Sequence, residues 1–135
     1  GAVQARGVVV ELPPSLPKVL GDHVQLVQVF QNLIENAVKY LGNQGQPRIE
    51  VGVLADAPKP TVFVRDNGIG IEPRYHDKIF GLFEKLDPKA DGTGVGLALV
   101  RRIVDQHGGR VWVESQGAGT GCTFFVQLVP AEPSV

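Results

Sequence analysis

Apolar residues recur at Leu26, Val29, Phe30, Leu33, Ala37 and Leu41, a spacing of three and four that places them on one side of an α-helix. Asp22, followed three residues later by Gln25, supplies a capping-box start, so the pattern predicts a helix over residues 23–41, stopped by Gly42-Asn43-Gln44-Gly45. A second stripe of Leu97, Val100, Ile103 and Val104 predicts a helix over residues 95–107, ended by Gly108-Gly109. Elsewhere the period drops to two or the run is β-branched, and strands are predicted at 8–12, 48–54, 61–66, 110–115 and 123–129. Proline lacks the helical donor and its ring clashes, so Leu12-Pro13-Pro14-Ser15-Leu16-Pro17 is an extended connector. Turns at 55–60 and 116–121 close two hairpins.

Strands gathered into hairpins with helices between them predict the α+β class: a two-layer sandwich with a mixed, mostly antiparallel sheet and helices on one face. With 135 residues, 43% of them apolar, one domain over 1–135 is expected, with an ordered core at about 8–129 and a frayed tail at 130–135. The net charge of −1 is scattered, which argues against a nucleic-acid partner and against a membrane-attracting basic run. No apolar run approaches the roughly 20 residues that span a bilayer, so no direct membrane insertion and a cytoplasmic location are expected. Cys122, the single cysteine, lies in an apolar run and reads as a small buried hydrophobe. His23, His76 and His107 are isolated from one another and from any Glu at metal-ligand spacing, which leaves them surface or cap residues. Ser15 and Ser115 have no histidine motif to activate them.

The 17 glycines change the picture because they cluster. Asn32 and Asn36, four apart, stack on one helical face with Lys39 and Tyr40 a turn further on. Asparagine is a poor helix-interior residue; the pair either caps neighbouring loops or offers neutral carbonyl oxygens to a hydrated Mg2+ already held by phosphates. Asp66-Asn67-Gly68-Ile69-Gly70 is either a simple turn or a strand-end carboxylate able to accept a hydrogen bond from an exocyclic amine. Gly92-Thr93-Gly94-Val95-Gly96 opens the second helix, where free N–H groups and the helix dipole can receive phosphate. The similarly spaced Gly117-Ala118-Gly119-Thr120-Gly121 lies between two strands and reads as a turn. P-loop and Rossmann fingerprints are missing.

In this order and spacing, these segments resemble the Bergerat-type ATP-binding domain shared by histidine kinases, gyrase-type topoisomerases, mismatch-repair ATPases and heat-shock chaperone ATPases. The nine residues from Asn32 to Tyr40 look like the histidine kinase N box, Asp66 to Gly70 and Gly92 to Leu97 like its two glycine boxes, and Phe80-Gly81-Leu82-Phe83 like the F box. The resemblance implies ATP and Mg2+ as cofactors, with Asn36 and Asn32 on the metal and Asp66 on the adenine amine. It implies Lys39 near phosphate, Tyr40 against adenine or ribose, and Phe80 and Phe83 anchoring a lid over 86–92. The nucleotide set further takes in Gly68, Gly70, Ile71, Gly92, Thr93, Gly94, Val95, Gly96 and Leu97, with Thr123 supporting Asp66.

Three departures stand out. Lys85 takes the place of a frequent phosphate-contacting Arg, giving a point charge without the bidentate fork, the lid is short, so that its closure is expected to depend on a partner surface, and Leu41 replaces a common threonine. Water-activating members of the superfamily generally carry Glu where this chain has Asn32, and an amide cannot accept that proton. The implied activity is therefore transfer of the γ-phosphoryl of ATP to a histidine on a separate helical dimerisation domain, absent from this sequence, with a response-regulator receiver domain downstream. The fragment alone is not expected to autophosphorylate. The alternatives are a stand-alone ATPase or serine kinase of the same fold, or a degenerate nucleotide-binding module.

Overall fold

Asp22 has an extended backbone, and its carboxylate accepts a 2.9 Å hydrogen bond from the N–H of Gln25. One of the helix's orphan donors is thereby satisfied, which fixes where the helix starts. In the computed structural model, which describes residues 9–13, 15–42, 45–76, 78–81, 96–115 and 119–131, this cap opens α1 (His23–Lys39). Val29, Leu33 and Ala37 point inward as their spacing requires, joined by Val38, and each large buried aliphatic contributes about 1.5–3 kcal/mol. The second helix, α2 (Gly96–Gln106), buries Val100, Ile103 and Val104.

The strands β1 (Val9–Glu11), β2 (Arg48–Val53), β3 (Thr61–Asp66), β4 (Arg110–Glu114) and β5 (Cys122–Gln127) form one sheet in the order β1-β2-β3-β5-β4. β1 pairs with β2 in parallel and every other pairing is antiparallel, so the predicted mixed sheet and both hairpins are present. Two short 3-10 turns, Pro73–Tyr75 and Lys78–Phe80, which the periodicity did not signal, lead away from β3.

Cross-strand register decides which side chains face the helices. Ile49 and Val51 of β2 align with Asp66 and Val64 of β3, and these with Cys122 and Phe124 of β5. This inner face joins the helix residues in a single core. The outer face carries a row of Gly52, Phe63, Phe125 and Trp112, with Trp112 stacked on Phe125 at 5.2 Å between centroids, and a charged row of Glu50, Arg65 and Glu114. Asp66 is thus placed by the pleat on the apolar side, at the very end of its strand.

A single imidazole ties the two helices together. His107, just past α2, accepts from the N–H of Asp22 at Nε2 (3.0 Å), while its Nδ1 bonds the carbonyl oxygen of Ile103 (2.8 Å). His107→Ala is expected to lower stability by about 0.5–1.5 kcal/mol, the net worth of an exposed hydrogen bond whose donor water can then solvate; urea unfolding with an unchanged slope measures this.

The expected frayed tail is corrected at its start. Pro130 bridges Val19, and Ala131 donates to the carbonyl of Lys18 at 3.1 Å, so the proline-rich connector holds the chain through residue 131. Residues 132–135 lie outside the described residues. No helix among the described residues is long and apolar enough to cross a membrane.

Candidate functional site

Asp66 is only 5% exposed, yet it bears a carboxylate on the core side of the sheet. Oδ1 accepts from the N–H of Gly68 at 2.8 Å, an Asx-type turn that follows from the Asp-x-Gly sequence, and Oδ2 accepts from the Cys122 thiol at 3.1 Å. Burial raises the pKa of Asp66 above its ordinary value, opposed by the Cys122 thiol and by the backbone N–H groups of Gly68 and Cys122. A group with those properties costs stability and serves best as a fixed acceptor for a donor that arrives later.

The loop after Asp66 is sewn in on three sides. Ile69 N–H donates to the carbonyl of Tyr40 at 2.9 Å, Gly121 N–H to the carbonyl of Gly68 at 3.1 Å, and Ile71 N–H to the hydroxyl of Ser115 at 3.0 Å. A Cβ on Gly68 would stand 2.2 Å from the Tyr40 oxygen, so only glycine permits this approach of loop to helix. Asn67 faces the other way: its amide donates to the carbonyl of Gln46 and accepts from the N–H of Arg48, anchoring the loop to β2. Of the Asp-Asn pair, the acid faces the site and the amide holds the frame.

The same contacts bring the end of α1 to the Asp66 loop, and with it Asn36 and Tyr40, one helical turn apart. Asn32 lies a further turn back, and its Nδ2 is buried without a hydrogen-bond partner among the described residues. Lys39 is exposed at the helix end. Since α2 packs along α1 and its end is bonded to the start of α1, the two run antiparallel. Eleven residues of rise, about 16 Å, carry the start of α2 back to about the level of Leu33. Gly96 has open space at its Cβ position, Leu97 is half-buried, Gly70 has φ +75° and Ile71 is buried. Phe80 is buried edge-on against Phe124, 5.9 Å between centroids.

Tyr40, Asp66 and Gly68 therefore meet at the end of α1, with Asn36 and Asn32 one and two turns back along the helix. Phe83, Lys85, Gly92, Thr93, Gly94, Val95 and the lid over 86–92 lie outside the described residues. Thr123 does not join the set. Its hydroxyl accepts from Arg65 Nε at 3.3 Å on the outer face, because it sits one residue from Cys122 in a strand whose side chains alternate. The support of Asp66 falls to Cys122. An apolar groove of about 510 Å3 between the connector and α1, lined by Leu12, Leu16, Leu26, Val27 and Phe30 among others, shares no residue with this set.

The described residues contain no cluster of three His, Cys, Asp or Glu that could cage a metal by itself. Neutral amides suit a hard cation whose charge is balanced by ligand phosphates. The buried atom of Asn32 that lacks a partner is its donor nitrogen, which calls for an acceptor such as a phosphate oxygen and leaves the amide oxygen as the group that could face a cation.

A sequence model for the histidine kinase-, DNA gyrase B-, and HSP90-like ATPases matches residues 21–132. The chain belongs to this ATPase family. It is similar to the methanogenesis regulatory histidine kinase FilI of Methanothrix harundinacea (strain 6Ac), 45% identical over 131 residues, 96% of this chain and 15% of FilI. It is also similar to the sensor protein kinase WalK of Staphylococcus haemolyticus (strain JCSC1435), 41% identical over 113 residues, 79% of this chain and 18% of WalK. Among solved structures, the mycobacterial sensor histidine kinase MprB superposes with a TM-score of 0.77 at 26% identity, covering 98% of this chain and 88% of that one. Full-length ShkA in complex with AMPPNP gives 0.78 at 28% identity, covering 99% and 28%. Within the ATPase family, the chain corresponds to the ATP-binding domain of sensor histidine kinases, and it spans 15–18% of the length of the curated relatives FilI and WalK.

Three contributors to this ATPase-family site escaped the sequence reading: Cys122, Ser115 and the glycine cluster before β5. Ser115 Oγ donates to the carbonyl of Gly121 at 2.7 Å while accepting from Ile71, which locks the β4–β5 turn onto the Asp66 loop. Residues 117–118 of the cluster lie outside the described residues, but Gly121, at φ +73°, would put a Cβ 2.2 Å from the Asp66 carbonyl oxygen. A turn signal alone does not tell which loop it will touch.

Proposed function

We propose that this domain binds Mg-ATP and presents the γ-phosphoryl group to a histidine on a separate helical dimerisation domain, in a cytoplasmic two-component relay ending on a response-regulator receiver domain. The observation that carries the reading is the buried Asp66 carboxylate, fixed at both oxygens and followed by a loop bonded to the end of α1. Asp66 accepts from the adenine amine, and Tyr40 packs against the base or ribose. Lys39 and, from its motif, Lys85 bring positive charge to the phosphates, while the start of α2 supplies backbone N–H groups and the positive end of its dipole.

Asn36 and Asn32 are the residues that would hold Mg2+, through amide oxygens, and the ion would supply neutralisation of the charge developing on the phosphates. The unpartnered Nδ2 of Asn32 is free to donate to a phosphate oxygen. Neither amide removes a proton, and Glu35 is exposed on another face of α1, so water is not activated and the chemistry awaits an imidazole from outside the domain.

Mixing the domain with a helical phosphoacceptor domain and γ-labelled ATP should give acid-labile, base-stable phosphohistidine on the acceptor, and none on the domain alone. ATP hydrolysis by the isolated domain that disappears on Glu35→Gln would replace this reading with that of an ATPase.

A further inference from the structure

β4 is the last strand of the sheet, so one of its edges has no neighbouring strand among the described residues. The register shows which backbone groups lie on that edge. Leu128 N–H donates to the carbonyl of Pro60 at 2.9 Å, so Cys122, Phe124 and Val126 of β5 bond β3, and the residues between them, Thr123, Phe125 and Gln127, bond β4. Their partners Glu114, Trp112 and Arg110 occupy the inner edge of β4, which turns the N–H and C=O groups of Val111 and Val113 outward.

A cleft of about 200 Å3 is lined on one side by four consecutive β4 residues, Arg110 to Val113. Consecutive strand residues face opposite ways, so a cavity touching all four lies along the strand's edge and not on one face. Phe80 and Val113 give it an apolar, buried floor. Two guanidiniums border it: Arg101 of α2, 5.9 Å over the Phe80 ring, and Arg110, 5.0 Å over Trp112. Neither forms an ion pair among the described residues. Asp105 is the cleft's one carboxylate, so the two arginines leave a small positive excess.

We propose that this cleft is a docking site for an acidic segment of a partner protein, which lies extended along β4, pairs its backbone with Val111 and sets carboxylates on Arg101 and Arg110. The inference is independent of the nucleotide reading, with which it shares only Phe80. Charges at an open edge commonly serve to keep other strands away, but such shielding needs no pocket. Here each guanidinium is seated on a ring, its N–H fork available for the bidentate pairing that carboxylates offer. An extended chain brings donors and acceptors at the spacing of the exposed β4 edge. The small positive excess matches a carboxylate or two, and falls short of what a nucleic-acid backbone requires.

The test follows fluorescence anisotropy of short labelled peptides that alternate glutamate with valine, or glutamine with valine, against the wild-type domain, Arg101→Gln, Arg110→Gln and the double variant. The glutamate peptide is expected to bind saturably with a Kd below about 1 mM, and the glutamine peptide about tenfold more weakly. Each single variant should lose about 3- to 10-fold, as for partly solvated charge-assisted bonds, and the double variant more. Melting temperature and ATP affinity should stay at wild-type values, since both arginines are exposed. Arg101→Lys and Arg110→Lys keep the charge without the fork; they should bind with intermediate affinity, and they stand in if a glutamine variant fails to fold. Methylating the backbone nitrogens of either the valines or the glutamates removes alternate donors, and one of these two peptides should lose binding while the other keeps it. Absence of saturable binding, equal affinity of the glutamate and glutamine peptides, an unchanged double variant, or equal behaviour of the two methylated peptides each overturns the proposal. Displacement by free glutamate or inorganic phosphate as effective as by unlabelled peptide overturns it too, leaving a simple anion site.

Discussion

Asp66→Asn is expected to weaken ATP binding by about 1–3 kcal/mol, roughly 5- to 150-fold, without unfolding the domain, and to make the ligand-free domain more resistant to urea near neutral pH. The first effect follows because a carboxylate accepting from the adenine amine is replaced by an amide that must turn its own donor away. The second follows from linkage. The folded-state pKa of Asp66 lies above the ordinary aspartate value, with burial the main cause. Folding therefore takes up a proton in the window between the unfolded and folded values, and stability declines as pH rises across it. Above the window the folded protein carries a buried charge that asparagine removes, while the Gly68 N–H keeps an acceptor. Calorimetric titration with ATP, paired with urea curves at mildly acidic and neutral pH, separates the two. Unchanged nucleotide affinity would remove Asp66 from the site.

The second large effect is expected for Asn32→Leu: phosphoryl transfer to a supplied histidine domain should fall by about 100-fold or more, and the ligand-free fold should gain about 1 kcal/mol. An amide whose Nδ2 is buried without a partner carries a desolvation cost that leucine, of similar size and a better helix former, does not. Removing one preorganised donor aimed at developing phosphate charge costs on the order of 100- to 1,000-fold in rate. Transfer assays at saturating ATP, beside thermal unfolding, test the pair of effects. Transfer at the wild-type rate would return Asn32 to a purely structural role. Both outcomes together would mean that the groups that trouble the empty fold are those the nucleotide requires, a trade common at functional sites.

Local chemistry made much of this legible in the sequence. The Asp22 cap and the Val29-Leu33-Ala37 stripe located α1, and the Asp-x-Gly turn located the carboxylate, because each is settled within a few residues. What escaped depends on partners far away in the chain. The parallel pairing of β1 with β2 joins residues that no turn connects. The assignment of Thr123 rather than Cys122 has a physical reason: Phe125, packed into the outer aromatic row, interrupts the alternation of Cys122, Phe124 and Val126 inward with Thr123 and Gln127 outward, so the inner set is blurred in the sequence. Only the register with β3 restores it. The amides of α1 were visible as a stripe, but the antiparallel return of α2 along that helix was not.

The bond between His107 and Asp22 also bears on kinetics, since it joins positions 85 apart in the chain. Closing so long a loop for one contact is entropically costly, so the contact is expected to form after the folding barrier has been crossed. Its loss should then steepen escape from the native state, raising the unfolding rate while the refolding rate stays nearly constant. The lifetime of the assembled helix pair, more than the speed of its assembly, would rest on that imidazole.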